Sequence, residues 1–424
     1  MFEISKRDGL ARLGKIKTRH GVLDTPTLLP VVNPKILTLS MEELRECGAQ
    51  GLITNSYIIY KNPELKETAE KKGVHGLLNW DGPIMTDSGT FQSHVYGEID
   101  MQPEEILNFQ KKIGVDIGTV LDVFCEPETK FEDAKKELEE TQRRIEESDQ
   151  NKNSIFLAAP IQGGRHLDLR LKAAQMASKT DAELFPIGGV VPLMEKNNFE
   201  KLSEVIIASK KGLDMSRPVH LFGCGHPMLF ALATFLGCDL FDSSSYAKFA
   251  SRDSLMFTWG SRNLEELEEF PSEFSAAPGI TINELKGMEK KKRQKIIAKH
   301  NLIVSFTEIR RVKQAIHDGL LWELVENRLR TSPALMKVFP ILKREMNWIK
   351  EFEPAYRYKT PIKTGDESDS RPIFSKLANS FKSGEMTHPY FGKVPNHLSE
   401  TYPFHPGLLQ DDIEGWKMQN WNIE

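Results

Sequence analysis

Three aspartates stand at similar places in the sequence, each after a short apolar run and before a turn. Asp87 begins "DSGTFQ" after "GPIMT", Asp122 ends "VDIGTVLD", and Asp242 ends "CDLFD". Any one of them is consistent with a turn residue or a helix cap, because Asp and Ser before Gly are common in turns. Three together favour a shared site, since crowded carboxylates raise one another's pKa and can divide the roles of nucleophile and general acid.

Glycine pairs follow two other apolar runs. "QGG" begins at Gln162, and Gly188 and Gly189 follow "LFPI". A backbone without Cβ atoms lets a flat ligand approach closely. Neither pair has the G-x-G-x-x-G spacing or a P-loop lysine, so a dinucleotide or nucleoside triphosphate site is not predicted. Phe91, close to Asp87, either stacks on an aromatic base or fills the core.

A cysteine and two histidines raise the alternative of a metal site. His220 and His226 flank "LFGCG", which contains Cys224. His220 alternates with apolar residues, a pattern that favours a packed or hydrogen-bonded histidine over a ligand. No C-x-x-C pairing is present, which argues against a disulfide framework and a thiolate-rich zinc site. The chain has four cysteines, Cys47, Cys125, Cys224 and Cys238.

The elements that must position these residues alternate between apolar runs and amphipathic stretches. Helices are predicted at "EDAKKELEETQRRIEES" and "NNFEKLSEVIIASKKG", where apolar residues recur at helical spacing. This βαβα pattern predicts an α/β fold with a parallel sheet, either doubly wound or closed into an eight-stranded barrel. The predicted strands are "GLITNS", "GPIMTDSG", "VDIGTVLD", "SIFLAAPIQGG", "AELFPIGGV", "PVHLFGCG" and "CDLFDSSS". In a barrel, their carboxyl ends converge on one face, where such enzymes place their chemistry.

The alternation of predicted strands and helices ends near residue 255. "NLEELEEF" and the stretch 289–330 predict long charged helices, and "KTPIKTGDESDSRPIF" predicts an exposed loop. A boundary near Ser332 and Pro333 divides the chain into a barrel domain with appended helices, 1–331, and a smaller C-terminal α+β accessory domain, 332–424.

Composition limits the classes of protein that the chain can represent. With 424 residues, 39% hydrophobic and 27% charged, it suits a globular barrel of about 250 residues with an appendage. No apolar run reaches the roughly 20 residues that span a bilayer, and the first residues lack a signal-peptide core, so we expect a cytoplasmic protein without a membrane partner. The net charge of −4 means that a nucleic-acid partner needs a local basic surface. "KKKRQKIIAKH" is either that surface or a solvated helix face.

Several long motifs occur in an order typical of one enzyme family. They are "MTDSGTFQ", "IQGG", "IGGVVPLME", "PVHLFGCGHPMLFALATFLGCDLFDSSSYAKFA", and "HNL" followed by "EIRRVKQAIHDGLLWELVE". Together they resemble the tRNA-guanine transglycosylases, most closely the archaeal branch that inserts the archaeosine precursor. The resemblance covers residues 1 to 330, and "PYFGKVP" and "ETYPFHP" extend it into the tail. It implies a TIM (β/α)8 barrel.

The resemblance also implies a reaction, in which a pentosyltransferase exchanges guanine at position 15 of the tRNA D-arm for 7-cyano-7-deazaguanine. Asp242 matches the carboxylate that attacks the ribose anomeric carbon. Asp87 matches the other catalytic aspartate, usually the general acid/base, although older descriptions of the family call it the nucleophile. The matching substrate-binding positions are Ser88, Phe91, Asp122, Gln162, Gly188 and Gly189. Base displacement from ribose resembles glycoside cleavage, in which a carboxylate captures the sugar and a second group moves the proton.

The local sequence suits this division between the two aspartates. Asp242 precedes three serines, whose hydroxyls we expect to hydrogen-bond to the carboxylate and keep it ionised. Asp87 lies between "GPIM" and Phe91, an apolar setting that predicts a raised pKa and proton exchange.

The resemblance fails at the family's structural zinc site, which has three cysteines and a histidine. "PSEFSAAPG" places Ser272, Phe274 and Ala277 at the cysteine positions, and only His300 remains. One histidine does not make a four-ligand zinc site, so we expect no metal and no cofactor. Phe274 is the expected replacement for the zinc plug.

The sequence also lacks a match to the RNA-binding PUA module of full-length archaeal members. We therefore expect tRNA capture to use a partner protein that supplies RNA-binding domains, a homodimer, or the basic residues 290–293. The expected partners are tRNA and a 7-deazaguanine base. One alternative is a non-catalytic accessory subunit of a transglycosylase complex. A barrel acting on free nucleosides or sugars explains none of the long motifs.

Overall fold

A computed structural model shows an α/β protein in which an antiparallel sheet precedes parallel strands. The antiparallel sheet consists of β1 (Phe2–Asp8), β2 (Ala11–Thr18) and β3 (Gly21–Thr25), in that order. The structure describes residues 2–90, 101–152, 154–271, 274–354, 366–373, 385–388 and 392–395.

Eight parallel strands form two four-stranded sheets, with orders β5-β6-β7-β8 and β4-β11-β10-β9. Isolated bridges join the sheets on both sides, between Val31 and Ile53 on the first side and at Ala158–Leu184 and Ile161–Ile187 on the second. Val32 N donates to Ile53 O at 2.8 Å on the first side, and Ile161 N donates to Pro186 O at 2.7 Å on the second. The strands are β4 (Thr27–Pro30), β5 (Leu52–Asn55), β6 (Ile84–Asp87), β7 (Ile117–Thr119), β8 (Phe156–Ala158), β9 (Phe185–Ile187), β10 (Val219–Leu221) and β11 (Leu240–Ser243).

All seven strands predicted from the sequence are present, and the prediction of an α/β fold with parallel strands is confirmed. Strand β4 was missed. Its four residues, "TLLP", follow Pro26 and end in Pro30, so the run looks like a turn by itself. Tertiary pairing with β11 makes it a strand, with Leu28 opposite Phe241.

Most of the helices lie between the parallel strands. Both helices predicted by apolar spacing are confirmed, and 289–330 forms two helices separated at Gly319, whose left-handed φ of 73° ends the first of them. No helix in the described ranges is both long and apolar enough to cross a bilayer. The helices are α1 (Met41–Cys47), α2 (Ser56–Lys61), α3 (Pro63–Leu78), α4 (Pro103–Lys112), α5 (Phe131–Asn151), α6 (Leu167–Ala177), α7 (Val191–Glu195), α8 (Phe199–Gly212), α9 (Pro227–Phe235), α10 (Ser245–Ala250), α11 (Ile282–Gly287), α12 (Lys290–Asp318), α13 (Leu321–Leu329), α14 (Pro333–Met336) and α15 (Phe339–Ile349).

The prediction of a helix at "NLEELEEF" is wrong. An antiparallel hairpin of β12 (Ser254–Phe257) and β13 (Gly260–Asn263) runs into this segment, and only a 3-10 turn, Leu264–Glu266, follows. The Asn263 side chain accepts from Glu265 N and caps the turn. Leu264 and Leu267 are both buried, so one turn satisfies the apolar residues that suggested a longer helix.

The residues after the predicted domain boundary pack on the same core as the parallel strands. Leu335, Leu342 and Ile349, from α14 and α15, are buried within that cluster. The division at 331/332 stays a prediction. Farther on, β14 (Glu385–His388) pairs with β15 (Gly392–Pro395) in an antiparallel hairpin.

The expectation of an exposed loop at 359–374 is wrong for its described part, 366–373. Ser368, Arg371 and Ile373 are buried there. Arg371 forms an ion pair with Glu323 of α13, and Ser368 Oγ donates to Glu326 Oε2 at 3.2 Å. These charged partners on α13 explain why a segment of polar composition is buried.

A buried arginine ties the N-terminal sheet to the parallel strands. Arg12 of β2 donates from Nε to Asp239 Oδ1 at 2.9 Å and pairs through Nη2 with the other carboxylate oxygen. The same guanidinium donates to Met215 O at 2.6 Å and to Arg217 O at 3.0 Å. Asp239 directly precedes β11, so this ion pair joins the antiparallel sheet to the strand that carries Asp242.

Replacing Arg12 by methionine is expected to lower the free energy of unfolding by about 3–5 kcal/mol, because Asp239 is left as a buried unpaired charge. Urea denaturation followed by circular dichroism measures this change. Lys17→Met is the matched control, since Lys17 forms an exposed ion pair with Glu3 at 2.7 Å, and a loss of at most about 1 kcal/mol is expected. Equal losses in the two variants would contradict the structural role of Arg12.

Candidate active site at the carboxyl ends of the parallel strands

The predicted site residues lie where the parallel strands end. Asp87 is the last residue of β6, Asp242 is in β11, Asp122 follows β7 by three residues, and Gln162 follows β8. Because the strands within each sheet are parallel and parallel bridges join the two sheets, their carboxyl ends lie on the same side. The charges of Asp122 and Asp242 both raise the pKa of Asp87, which places the three carboxylates in one electrostatic group.

Hydrogen bonds from neighbouring groups hold the carboxylate of Asp87 in position. Asn55 Nδ2 donates to Asp87 Oδ2 at 3.2 Å, and Gly89 N donates to Oδ1 at 3.3 Å. Ser56 Oγ donates to the main-chain oxygen of Asp87 at 2.8 Å. Gly89 has φ of 99°, and a Cβ at that position would lie 2.5 Å from Cβ of Tyr57. Only glycine fits this turn.

The environment of Asp87 suits proton exchange near neutrality. Burial, followed by the charge of Asp122, raises the pKa of Asp87 from 3.8 to about 6, while N–H donors from Gly89 and Ser88 oppose the shift. Burial also raises the pKa of Asp122, and hydrogen bonds from Gln162 and Thr90 partly offset that effect. The pKa of Asp87 is raised, as its apolar sequence context predicts.

Asp122 and Gln162 form a polar pair beneath the second glycine turn. Gln162 Nε2 donates to Asp122 Oδ2 at 2.5 Å, and both side chains are buried. A Cβ on Gly188 would lie 2.6 Å from Gln162 Nε2, and one on Gly189 would lie 2.5 Å from Cys125 O. Gln162 Oε1 has no hydrogen-bond partner among the described residues. The pair therefore keeps unused acceptor capacity for a polar ligand.

Arg170 is a site residue that the sequence analysis missed. This buried arginine of α6 donates to Gly164 O at 2.8 Å, to Ile161 O at 2.6 Å and to Gly188 O at 2.8 Å, so it fixes both glycine turns. Burial lowers its pKa to about 10. The one signal in the sequence is a charged residue beside Leu169 on the buried face of a helix.

The partners of Asp242 differ from those expected. Its Oδ1 accepts a hydrogen bond from Gly223 N at 2.9 Å, and His220 Nε2 lies 2.9 Å from the same oxygen. The hydroxyls of Ser243 and Ser245 are 2.6 Å apart and bond to each other. The expectation of a hydrogen bond to Asp242 is therefore wrong for Ser243 and Ser245, whose hydroxyls bond to each other within the local turn.

Two predicted substrate-binding residues need separate mention. Ser88 is buried, and its Oγ lies 3.1 Å from Oγ1 of Thr90. Thr90 Oγ1 in turn donates to the main-chain oxygen of Asp122 at 3.2 Å, so Ser88 belongs to the hydrogen-bonded wall of the site. Phe91 lies outside the described residues.

The alternative metal ligands near β10 have other partners. Cys224 is buried, and burial raises the pKa of its thiol well above the usual value. His226 Nδ1 accepts from Met228 N at 3.4 Å at the start of α9. No cluster of three ligand groups forms here among the described residues, and the one such cluster that forms elsewhere is His20, His75 and Asp116.

That cluster has the composition of a metal site but is already satisfied by hydrogen bonds. Asp116 lies 3.0 Å from His20 Nδ1 and 3.1 Å from His75 Nε2, and it accepts from Ile84 N at 2.9 Å. Although burial opposes it, these bonds lower the pKa of Asp116 to about 2. The cluster lies at the amino ends of β6 and β7, away from the edge that carries Asp87.

Aromatic packing occupies the segment that aligns with the family's zinc site. The ring of Phe274 stacks on His300 at 4.8 Å between centroids, and Phe270 stacks on Phe274 at 4.2 Å. His300 Nε2 donates to Met256 O at 3.2 Å, and burial lowers the pKa of His300 to about 4. Ala277 is partly exposed, and Ser272 lies outside the described residues.

The basic segment at the start of α12 is only partly available for RNA. Arg293 binds Asp253 through two hydrogen bonds of 2.9 and 2.7 Å, and Lys295 and Lys299 pair with Glu43 and Glu46. Residues 290–292 are exposed lysines. The candidate RNA surface is therefore smaller than the sequence suggests.

Comparison with known proteins places the chain in a family. A sequence model of the queuine tRNA-ribosyltransferase family matches residues 7–334. The chain belongs to this family. Three similar proteins are the "tRNA-guanine(15) transglycosylase" of Methanococcus aeolicus, 43% identical, that of Methanocaldococcus jannaschii, 41% identical, and that of Pyrococcus furiosus, 43% identical.

The alignments cover 97% of this family member in each case. They cover 64% of the relative from Methanococcus aeolicus, 64% of that from Methanocaldococcus jannaschii and 72% of that from Pyrococcus furiosus. The chain thus spans about two thirds of the length of the curated relatives that it matches.

Zinc content tests the aromatic packing around His300. We expect purified protein to contain no stoichiometric zinc by elemental analysis, because Phe274 covers the histidine ring and the cysteine ligands are replaced. About one zinc per chain, retained in a His300→Ala variant, would contradict the expectation and direct attention to His20, His75 and Asp116.

The pH dependence of stability tests the pKa of Asp87. Because its folded pKa of about 6 exceeds 3.8, the folded state binds the proton more tightly, and stability is lost as pH rises through this range. Asp87→Asn is therefore expected to raise the free energy of unfolding by about 3 kcal/mol at pH 8 and to change it little near pH 3.5. Urea denaturation at several pH values, with the exposed Asp181→Asn as control, measures the difference. A constant effect across this pH range would contradict the raised pKa.

Proposed function

We propose that the chain is a tRNA-guanine transglycosylase that exchanges guanine at position 15 of tRNA for 7-cyano-7-deazaguanine through a covalent aspartyl-ribose intermediate. The observation that carries the proposal is the grouping of Asp87 and Asp242 beside the Asp122–Gln162 pair. Relatives named tRNA-guanine(15) transglycosylase match 97% of the chain, which supports the same activity.

The proposed scaffold is a closed (β/α)8 barrel. The two four-stranded parallel sheets adjoin each other on both sides through the bridges at Val31 and Ile161. Closure of the eight strands places every carboxyl end on one rim, so residues from β6 and β11 face a common substrate.

The chemistry assigned to the two carboxylates follows from their surroundings. Asp242 attacks the ribose anomeric carbon and displaces guanine, and the incoming base then displaces Asp242, so two inversions retain the sugar configuration. Asp87, with a pKa of about 6, gives a proton to the departing guanine and takes one from the incoming base. Asp87 therefore serves as the general acid and base, and Asp242, which accepts from Gly223 N, serves as the nucleophile.

The base-reading part of the proposal rests on the buried polar pair. The Asp122 carboxyl group and the unpaired Oε1 of Gln162 present hydrogen-bonding atoms to the edge of a purine-like base. Gly188 and Gly189 leave room for a flat ring against the main chain. A base within folded tRNA must be extruded to reach this pocket, and Phe91 is proposed to stack on it.

Capture of tRNA is proposed to involve more than this pocket. The exposed lysines at 290–292 supply a small basic surface. A homodimer or a partner protein with RNA-binding domains would supply the rest, and we propose that the chain needs neither a metal nor a cofactor for the chemistry.

Asp242→Asn is expected to abolish base exchange, with a loss of more than about 10,000-fold, because the nucleophile is removed. Asp87→Asn is expected to slow exchange by roughly 100- to 10,000-fold through loss of proton transfer. Release of labelled guanine from tRNA upon addition of 7-cyano-7-deazaguanine measures exchange, and denaturing electrophoresis measures the covalent adduct. The exposed Asp133→Asn serves as the control with unchanged activity.

Two outcomes would change the assignment. An adduct that forms in Asp242→Asn but never in Asp87→Asn would make Asp87 the nucleophile. Full exchange by a complex that contains Asp242→Asn of this chain together with a second barrel subunit would make the chain a non-catalytic accessory subunit.

A further inference from the structure

His220 is a buried histidine whose ring nitrogens have no aligned hydrogen bond. It lies in β10 and is fully buried, and neither Nδ1 nor Nε2 has a hydrogen-bond partner among the described residues. Buried polar side chains are nearly always hydrogen-bonded, and exceptions cluster at sites with a functional reason. A leucine at this position would fill space without leaving polar atoms unpaired.

His220 has one of its two ring nitrogens close to the carboxylate of Asp242. Its strand neighbours are Pro186 in β9 and Leu240 in β11, and Phe222 packs edge-on against the ring at 4.7 Å. Nε2 lies 2.9 Å from Oδ1 of Asp242, which is a hydrogen-bond distance with a poorly aligned ring. Catalytic hydrogen bonds are often misaligned before substrate binds and tighten in the complex.

The two oxygens of Asp242 differ in their contacts. Oδ1 accepts from Gly223 N at 2.9 Å and faces His220. Oδ2 has no partner in the described part of the chain. The carboxylate is thus held by one oxygen, and the other oxygen is left for a new bond.

We propose that His220 is a positioning residue for Asp242, donating from Nε2 to Oδ1 so that Oδ2 faces the ribose. This inference rests on the proposed function and deepens it, because it names the oxygen that reacts and the side chain that orients it. An Nε2–H donor suits the role, since a hydrogen bond to one oxygen fixes the orientation of the carboxylate.

In each half of the proposed reaction, one bond to the ribose C1′ forms and another breaks. Oδ2 of Asp242 forms a bond to C1′ of the ribose while the bond between C1′ and N9 of guanine breaks. The bonding pair leaves with guanine, which takes a proton from Asp87. In the second half, N9 of the incoming base bonds to C1′, its proton goes to Asp87, and the pair of the Oδ2–C1′ bond returns to Asp242. His220 keeps its proton throughout and holds Oδ1.

Two substitutions of His220 separate positioning from packing. His220→Gln keeps an N–H donor near the position of Nε2, whereas His220→Met fills a similar volume without a donor. Single-turnover formation of the denaturation-resistant adduct is measured by quenched flow, tRNA affinity by filter binding, and folding by thermal denaturation. We expect His220→Met to slow adduct formation about 10- to 100-fold with unchanged tRNA affinity, and His220→Gln to recover most of the rate.

Equal rates in His220→Met and the unsubstituted protein would overturn the proposal. Equal losses in both variants, together with a lowered melting temperature, would overturn it in favour of a packing role.

A second measurement does not depend on activity. In protein labelled with ¹⁵N-histidine, the Nε2–H resonance of His220 should be protected from exchange and should shift in Asp242→Asn. An unshifted or rapidly exchanging resonance would overturn the contact even if base exchange is observed. Failure of the proposed function shows differently, as absence of exchange by the unsubstituted protein while the His220 resonance still responds to Asp242→Asn.

Discussion

The burial of Asp87 close to the charges of Asp122 and Asp242 is the constraint on which the site depends. The charges of Asp122 and Asp242 both raise the pKa of Asp87, and burial raises it further. The three carboxyl groups differ in their surroundings. Asp122 accepts a hydrogen bond from Gln162, Asp242 accepts one from Gly223 N, and Asp87 holds its proton to higher pH. In the proposed reaction, these different surroundings give the carboxylates different chemical roles.

Main-chain geometry at the ends of the strands makes these contacts of the carboxyl groups possible. Gly89 turns the chain so that its N–H reaches Asp87, and Gly188 leaves space for the amide of Gln162. Arg170 then holds the carbonyl groups of Gly164 and Gly188 from beneath. Its fully buried charge is costly, and its hydrogen bonds to carbonyl oxygens offset that cost. The result is a group of polar side chains that lie at the ends of different strands and are held by defined main-chain contacts.

A buried ion pair and a group of stacked aromatic rings stabilise the structure farther from the site. Arg12 and Asp239 connect the N-terminal sheet to the strand that carries Asp242. Near α12, stacked rings of Phe270, Phe274 and His300 pack in the segment for which we expected an aromatic replacement of the family's zinc site. Apolar contact area can stabilise such a segment without a metal because aromatic side chains bury much surface for few ordered torsions.

The sequence by itself determined the parallel strands other than β4, the positions of Asp87, Asp122 and Asp242 at their ends, and the family. These features depend on periodicity and on residue order, which are local or directly readable. Tertiary structure decided which groups meet. The Gln162–Asp122 bond, the contact of His220 with Asp242, the role of Arg170 and the burial of Arg371 join residues on different elements. In place of the helix expected at "NLEELEEF", the structure has the end of a hairpin and one turn. Pairing and burial are set by the packing of distant segments, so local propensity does not reveal them.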